Sequence, residues 1–181
     1  MLNENKSEIS LRIRRTDSAG LLTEWAKLQT TEMSNHNKGL ILELMICRAF
    51  ELEGATVKYP YDVKVQNMNS EQIDGAVYFD HIACLIECKN EADPINFEPI
   101  SKLRSQLQRR PSGTIGAIFT TSGFTEPAII LAQYTSPQTI LLWERKEIEQ
   151  CLNQKSFKSG LLKKYNYCIE MGLSNYSLIE A

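Results

Sequence analysis

The chain reads as an α/β sandwich, a central mixed sheet of about four to five strands with helices packed on its faces. Three observations point there. Ile73 to Phe79 and Ile82 to Lys89 are two strand-like runs joined through Asp80-His81, the pattern of a hairpin. Ahead of them lies an apolar helical segment, Gly39 to Glu53, closed by Gly54. Behind them come two short apolar strands, Ile115 to Thr120 and Thr139 to Trp143, with a helix between them.

The elements follow in order. Residues 1 to 17 are polar, and the alternation Leu11-Arg12-Ile13-Arg14 predicts an edge strand. Leu21, Leu22, Trp25 and Leu28 recur at helical spacing, so a short helix is expected before the polar stretch Thr30 to Lys38. Leu40, Leu44, Cys47 and Leu52 are apolar positions of the main helix. Thr56 to Tyr59 and Val63 to Val65 read as strands on either side of Pro60. Asn90 to Pro99 is a loop marked by Pro94 and Pro99. Ile100 to Arg109 predicts a helix broken by Pro111-Ser112-Gly113. Pro127 opens another from Glu126 to Tyr134, which Thr125 is placed to cap. The end of the chain is expected to be helical around Ile148-Cys151-Leu152 and from Leu161 to Met171. The expected division is an N-terminal extension with a short helix (1–37), a core (38–150) and a C-terminal helical segment packed on it (151–181).

Composition narrows the function classes. With 181 residues, 43% apolar and 23% charged, the chain fits one domain with a real hydrophobic core. No apolar run is long enough to span a bilayer. The polar start, Met1-Leu2-Asn3-Glu4-Asn5-Lys6, lacks the apolar stretch of a signal peptide, so a cytoplasmic location is expected. The five cysteines (Cys47, Cys84, Cys88, Cys151 and Cys168) contain no CxxC pair, which argues for reduced thiols. Cys84 and Cys88 on one strand would stand about 13 Å apart, too far to share a zinc ion. No GxxxxGK[ST] or GxGxxG motif supports a nucleotide-binding enzyme, and no His-Asn-His arrangement supports a ββα-metal nuclease.

Net charge is −2, unlike a protein that coats nucleic acid. The charge is uneven, however. Pro99 to Ile115 carries Lys102, Arg104, Arg109 and Arg110 without an acid, and Asn153 to Cys168 carries Lys155, Lys158, Lys163 and Lys164 without one. Such faces suit phosphate contacts, and a solvated helix face is the other reading of either patch.

The chemistry concentrates in the hairpin. Side chains on a strand alternate, so Glu87 and Lys89 share one face while Ile86 and Cys88 share the other. Two charges at the end of an apolar strand are costly unless they pair or bind something. A turn at Asp80-His81 brings Asp74 roughly opposite Glu87, gathering two carboxylates and a lysine in a small volume. Magnesium is held by one or two carboxylates, with water and substrate phosphate filling its other positions. Lys89 is placed to orient or help deprotonate the attacking water and to offset phosphate charge. A partly exposed Glu87–Lys89 ion pair is the plain structural alternative.

Asp74 followed by Glu87-x-Lys89 resembles the PD-(D/E)XK nuclease signature, with Ile73 where a proline often stands. Lys38-Gly39-Leu40-Ile41-Leu42-Glu43 resembles the start of the first helix of Mrr-like restriction endonucleases. Phe119-Thr120-Thr121-Ser122-Gly123-Phe124-Thr125-Glu126-Pro127-Ala128 and Ile140-Leu141-Leu142-Trp143 are similar to the late strand, loop, helix and strand of the same group. The resemblance spans roughly residues 38 to 150. It implies a restriction-endonuclease-like α/β/α sandwich that hydrolyses the phosphodiester bonds of DNA or RNA with Mg²⁺ or Mn²⁺, DNA being the first expectation, in a restriction or defence role. It implies Asp74, Glu87 and the backbone carbonyl of Cys88 as metal ligands, Lys89 as catalytic lysine, and Glu43 near the metal directly or through water. Lys102, Arg104, Gln106, Arg109 and Arg110 are the expected nucleic-acid contacts. Gln106 matches a glutamine common in related nucleases, although Arg110 stands where a tyrosine would follow. The loop Thr120 to Thr125 could hold a phosphate at the next helix N-terminus. Cutting both strands needs two active sites, which suggests a homodimer. The competing function is an inactive module of the same fold that binds nucleic acid or a protein.

Overall fold

The structure, a computed structural model, describes residues 5–29, 33–59, 61–65 and 68–179. Asn5 opens helix α1 (Lys6–Arg15): its side chain accepts from the Ser7 and Glu8 N–H groups at 3.0 Å, and Glu8 reaches back to the Asn5 N–H at 2.8 Å. This reciprocal cap satisfies donors that a new helix leaves free. Ile9 and Ile13, four residues apart, then bury on one face. The edge strand expected at Leu11 to Arg14 is therefore helical; the cap and the Ile9–Ile13 spacing outweigh a four-residue alternation. Helix α2 (Ser18–Leu28), capped by Asp17, buries Leu21, Trp25 and Leu28. Helix α3 (Asn35–Leu52) starts before the expected Gly39, because Ser34 caps it through the Asn37 N–H. It is buried almost all round, since α1 and α2 cover its outer side. Gly54 follows it with φ at 85°, a conformation that suits glycine.

Strand β1 (Thr56–Lys58) leads into a two-stranded ribbon, β2 (Tyr61–Val65) and β3 (Met68–Ile73). The expected Val63 to Val65 strand lies in β2. β3 is largely polar and carries no apolar alternation, so the sequence reading leaves it out. The chain then bends at Asp74 and enters β4 (Gly75–Phe79), which pairs with β5 (Ile82–Lys89) across a turn with positive φ at Asp80 and His81. The run Ile73 to Phe79 is thus two strands meeting at Asp74. After helix α4 (Glu98–Leu107) come β6 (Thr114–Thr120), helix α5 (Glu126–Gln133) and β7 (Ile140–Trp143). As expected, Thr125 caps α5 by accepting from the Ala128 N–H at 3.4 Å. Helices α6 (Arg145–Gln154) and α7 (Phe157–Met171) close the order.

The main sheet runs β1-β4-β5-β6-β7, antiparallel across β1, β4 and β5 and parallel across β5, β6 and β7. Its side chains alternate between two cores. Ile86, Cys88, Ala117, Phe119 and Trp143 join the helices α1, α2, α3, α6 and α7 on one side. Ala76, Leu85, Ile118 and Leu142 join α4 and α5 on the other. This is an α/β/α sandwich, as expected, with a mixed sheet of five strands. Cys84 and Cys88 lie on β5 as buried free thiols. No helix among the described residues is long and apolar enough to cross a membrane.

Candidate active site

The site forms where β4 and β5 meet the ribbon. Gly75 pairs with Ile86, so the next step of the ladder puts Asp74 beside Glu87, on the α4 side of the sheet. Next to it Gly75 lets α3 come close: a Cβ there would lie 2.3 Å from Cys47 Sγ. One carboxylate oxygen of Asp74 accepts the Cys88 N–H at 2.8 Å, which fixes its position against β5. Asp74 is buried, and Glu87 is only 1% exposed.

Glu87 is held by two ammonium groups. Lys89 Nζ lies 2.8 Å from its Oε1, and Lys102 Nζ, reaching over from α4, lies 2.9 and 3.1 Å from Oε1 and Oε2. Lys89 keeps its proton tightly. Burial alone would lower its pKa, but the charge of Glu87 and its hydrogen bond outweigh this and raise it. Asp74 has the opposite problem. Burial, then the charges of Glu87 and Glu43, lift its pKa to about 7 despite the Cys88 hydrogen bond. Glu43, half-buried on α3, is also raised, by burial first and by Glu87 second, while Lys89, Lys6 and Lys102 offset part of this.

Three acids are thus near enough to oppose one another's ionisation, which is the chemistry of a site suited to a cation. Among the described residues no group of three or more His, Cys, Asp or Glu is placed to hold an ion alone. Asp74 and Glu87 fit a hard divalent ion that keeps water and substrate oxygens in its remaining positions.

Beside Lys89 a cavity of about 350 Å³ opens between β5 and α4, lined among others by Lys89, Lys102, Glu91, Ile95 and Glu98. Its wall is tied down: the Ile95 N–H donates to the Gly123 carbonyl at 2.9 Å, and the Thr125 N–H to the Ile95 carbonyl at 3.0 Å. Thr120 and Ser122 share a hydroxyl hydrogen bond at 3.1 Å in the loop before α5.

The residues of α4 and of the turn after it separate into different roles. Gln106 is buried and donates to the Gln72 carbonyl at 3.2 Å. Arg110 pairs with Glu71 at 2.6 Å, and Arg109 pairs with the same carboxylate, joining α4 to the ribbon. Arg104 is half-buried. Lys102 alone of the five reaches the carboxylate centre. The sequence reading set it among phosphate contacts, and no local spacing signals its pairing with Glu87, fifteen residues away.

The Mrr catalytic-domain family, described as Restriction endonuclease, matches residues 35–152. No curated protein matches the chain. Solved structures similar to it include two. One is AF1548, a protein of unknown function, at 22% identity and a TM-score of 0.46, over 55% of this chain and 55% of that one. The other is the MspJI restriction endonuclease in complex with a 27-mer oligonucleotide, at 16% identity and a TM-score of 0.44, over 97% of this chain and 40% of that one. The chain therefore spans about half the length of the first and two-fifths of the second.

Proposed function

The chain belongs to the Mrr-type restriction endonuclease family, and from that premise we propose that it is a divalent-metal-dependent endonuclease that hydrolyses phosphodiester bonds, with DNA as its substrate. The observation that carries this reading is the joining of Asp74, Glu87 and Lys89 where β4 begins and β5 ends, with two buried carboxylates side by side and the lysine touching one of them.

Asp74 and Glu87 would hold the ion with the Cys88 carbonyl, the residue whose N–H already anchors Asp74. Glu43 would approach it directly or through water. Bound Mg²⁺ or Mn²⁺ supplies a water of lowered pKa and neutralises charge on the phosphate. The rest falls to the chain. Lys89, kept charged by Glu87, donates hydrogen bonds; it orients the attacking water and balances charge on the phosphate rather than removing a proton. The buried floor of the site excludes bulk water, so each charge there acts more strongly than on an open surface. The cavity between β5 and α4 gives the nucleic-acid backbone a place to lie against Lys89.

The test is incubation of supercoiled plasmid, linear duplex and single-stranded DNA with the protein in Mg²⁺, in Mn²⁺ and in EDTA. Nicking or linearisation that needs the metal is the expected result. Binding to DNA with no cutting under any metal would replace this reading with that of an inactive module of the same fold. The double lysine grip on Glu87 is the one feature that favours such a module.

A further inference from the structure

Lys102 stands in an unusual relation to Glu87. Its ammonium bridges both carboxylate oxygens while Lys89 occupies one of them, so the oxygens needed for a metal are already engaged. A dication cannot join two ammonium groups on one buried carboxylate without strong repulsion, because like charges at these separations are weakly screened away from bulk water. One lysine has to leave. Lys89 rises from the same strand as Glu87, two residues away and on the same face, and is 27% exposed. Lys102 reaches across from α4 on a flexible stem and is 47% exposed. It is the one free to swing. It also lines the cavity beside Lys89, where substrate phosphate would sit.

We propose that Lys102 is an exchangeable counter-ion: it neutralises Glu87 in the metal-free protein, yields that carboxylate to the incoming divalent ion, and moves onto a phosphate oxygen of the nucleic acid. This rests on the nuclease reading above and assigns a switching role to one residue within it. The exchange couples the two ligands. Metal releases the ammonium that the substrate backbone then uses, and a bound phosphate holds that ammonium away from Glu87, so each tightens the other.

Two variants read the effect of Lys102 on metal affinity. Lys102→Gln removes the competitor and leaves Glu87 paired with Lys89. It should bind Mn²⁺ tighter than wild type by about fivefold, the size of a partly exposed ion pair. Lys102→Arg offers a planar fork that grips a carboxylate at two points, so it should bind Mn²⁺ no tighter than wild type, or more weakly. Calorimetric titration of Mn²⁺ into the three proteins without nucleic acid reads this directly. Binding of a short duplex in Ca²⁺, followed across a salt series, reads the second half. There Lys102→Gln should bind more weakly, with a log–log slope shallower by about 0.9 for the lost phosphate contact.

A wild type that binds Mn²⁺ and cuts DNA, with Lys102→Gln binding Mn²⁺ no tighter, overturns the exchange and leaves the nuclease reading standing. An unchanged duplex affinity and salt slope in Lys102→Gln overturns the move onto phosphate. Absence of Mn²⁺ binding and of cutting in all three proteins overturns the nuclease reading itself, and the exchange with it.

Discussion

Burial and two neighbouring carboxylates, Glu87 and Glu43, raise Asp74 from an ordinary value of 3.8 to about 7, which makes the metal-free site sensitive to pH. Below pH 4 both the folded and the unfolded chain hold this proton; above pH 7 neither does. Between these limits only the folded chain holds it, so the stability contributed at low pH is lost as pH rises through about 7. Melting curves in EDTA should therefore show wild type losing stability from pH 5 to pH 8, and Asp74→Asn, with no proton to release, losing less. Parallel losses in the two proteins would mean that Asp74 is not the group responsible. A cation needs the ionised carboxylate, so Mn²⁺ affinity should also rise over the same window as binding displaces the proton. At this scale the centre is readable in the sequence where strand alternation and one turn suffice: Asp74, Glu87 and Lys89 follow from them. The second cation on Glu87 does not, because Lys102 arrives from another element and its partner is set by helix packing.

Among the elements, the approach of α3 to the sheet decides where the carboxylates stand. Gly75 leaves room for Cys47, and an added methyl would meet the sulfur at 2.3 Å, a contact that neither buried group can relieve by turning toward solvent. Gly75→Ala should lower stability by about 1–3 kcal/mol, the usual range for overpacking. It should also depress cleavage, because the strain falls on the residue next to Asp74. Chemical denaturation and a cleavage assay together check this; a variant as stable and as active as wild type would mean that the helix–sheet contact is slack. The hairpin β4–β5, the glycine-ended α3 and the short buried strands β6 and β7 are legible because apolar periodicity and turn residues agree there. At α1 a four-residue alternation competes with the Asn5–Glu8 cap, and the cap with its Ile9–Ile13 face wins. At β3 there is no apolar alternation to read, and the bend at Asp74 is visible only once Tyr61 pairs with Ile73 and Gly75 with Ile86.

Across the whole molecule, the region beyond the family match is bound to the core by a buried charge. Lys164 on α7 is 1% exposed; it pairs with Glu147 of α6 at 2.6 Å and donates to the Leu142 carbonyl at 2.8 Å and to the Tyr176 carbonyl. Glu147 also accepts the Leu178 N–H at 3.0 Å, so helix, strand and C-terminal segment meet at one ion pair. Lys164→Met should destabilise by about 3–5 kcal/mol because it leaves Glu147 buried without its cation, and adding Glu147→Gln should recover part of that loss. Since this clamp lies on the opposite face of the sheet from α4, the folded fraction should keep its cleavage rate. The carboxylate centre is where the account stands or falls. Its most direct test is single-turnover cleavage of duplex DNA in Mn²⁺ by wild type and by Asp74→Ala, Glu87→Ala and Lys89→Ala, each first shown to melt near wild type. Cutting by wild type, with each variant slower by about a hundredfold or more, is the predicted result; wild-type rates in all three folded variants would contradict the assignment.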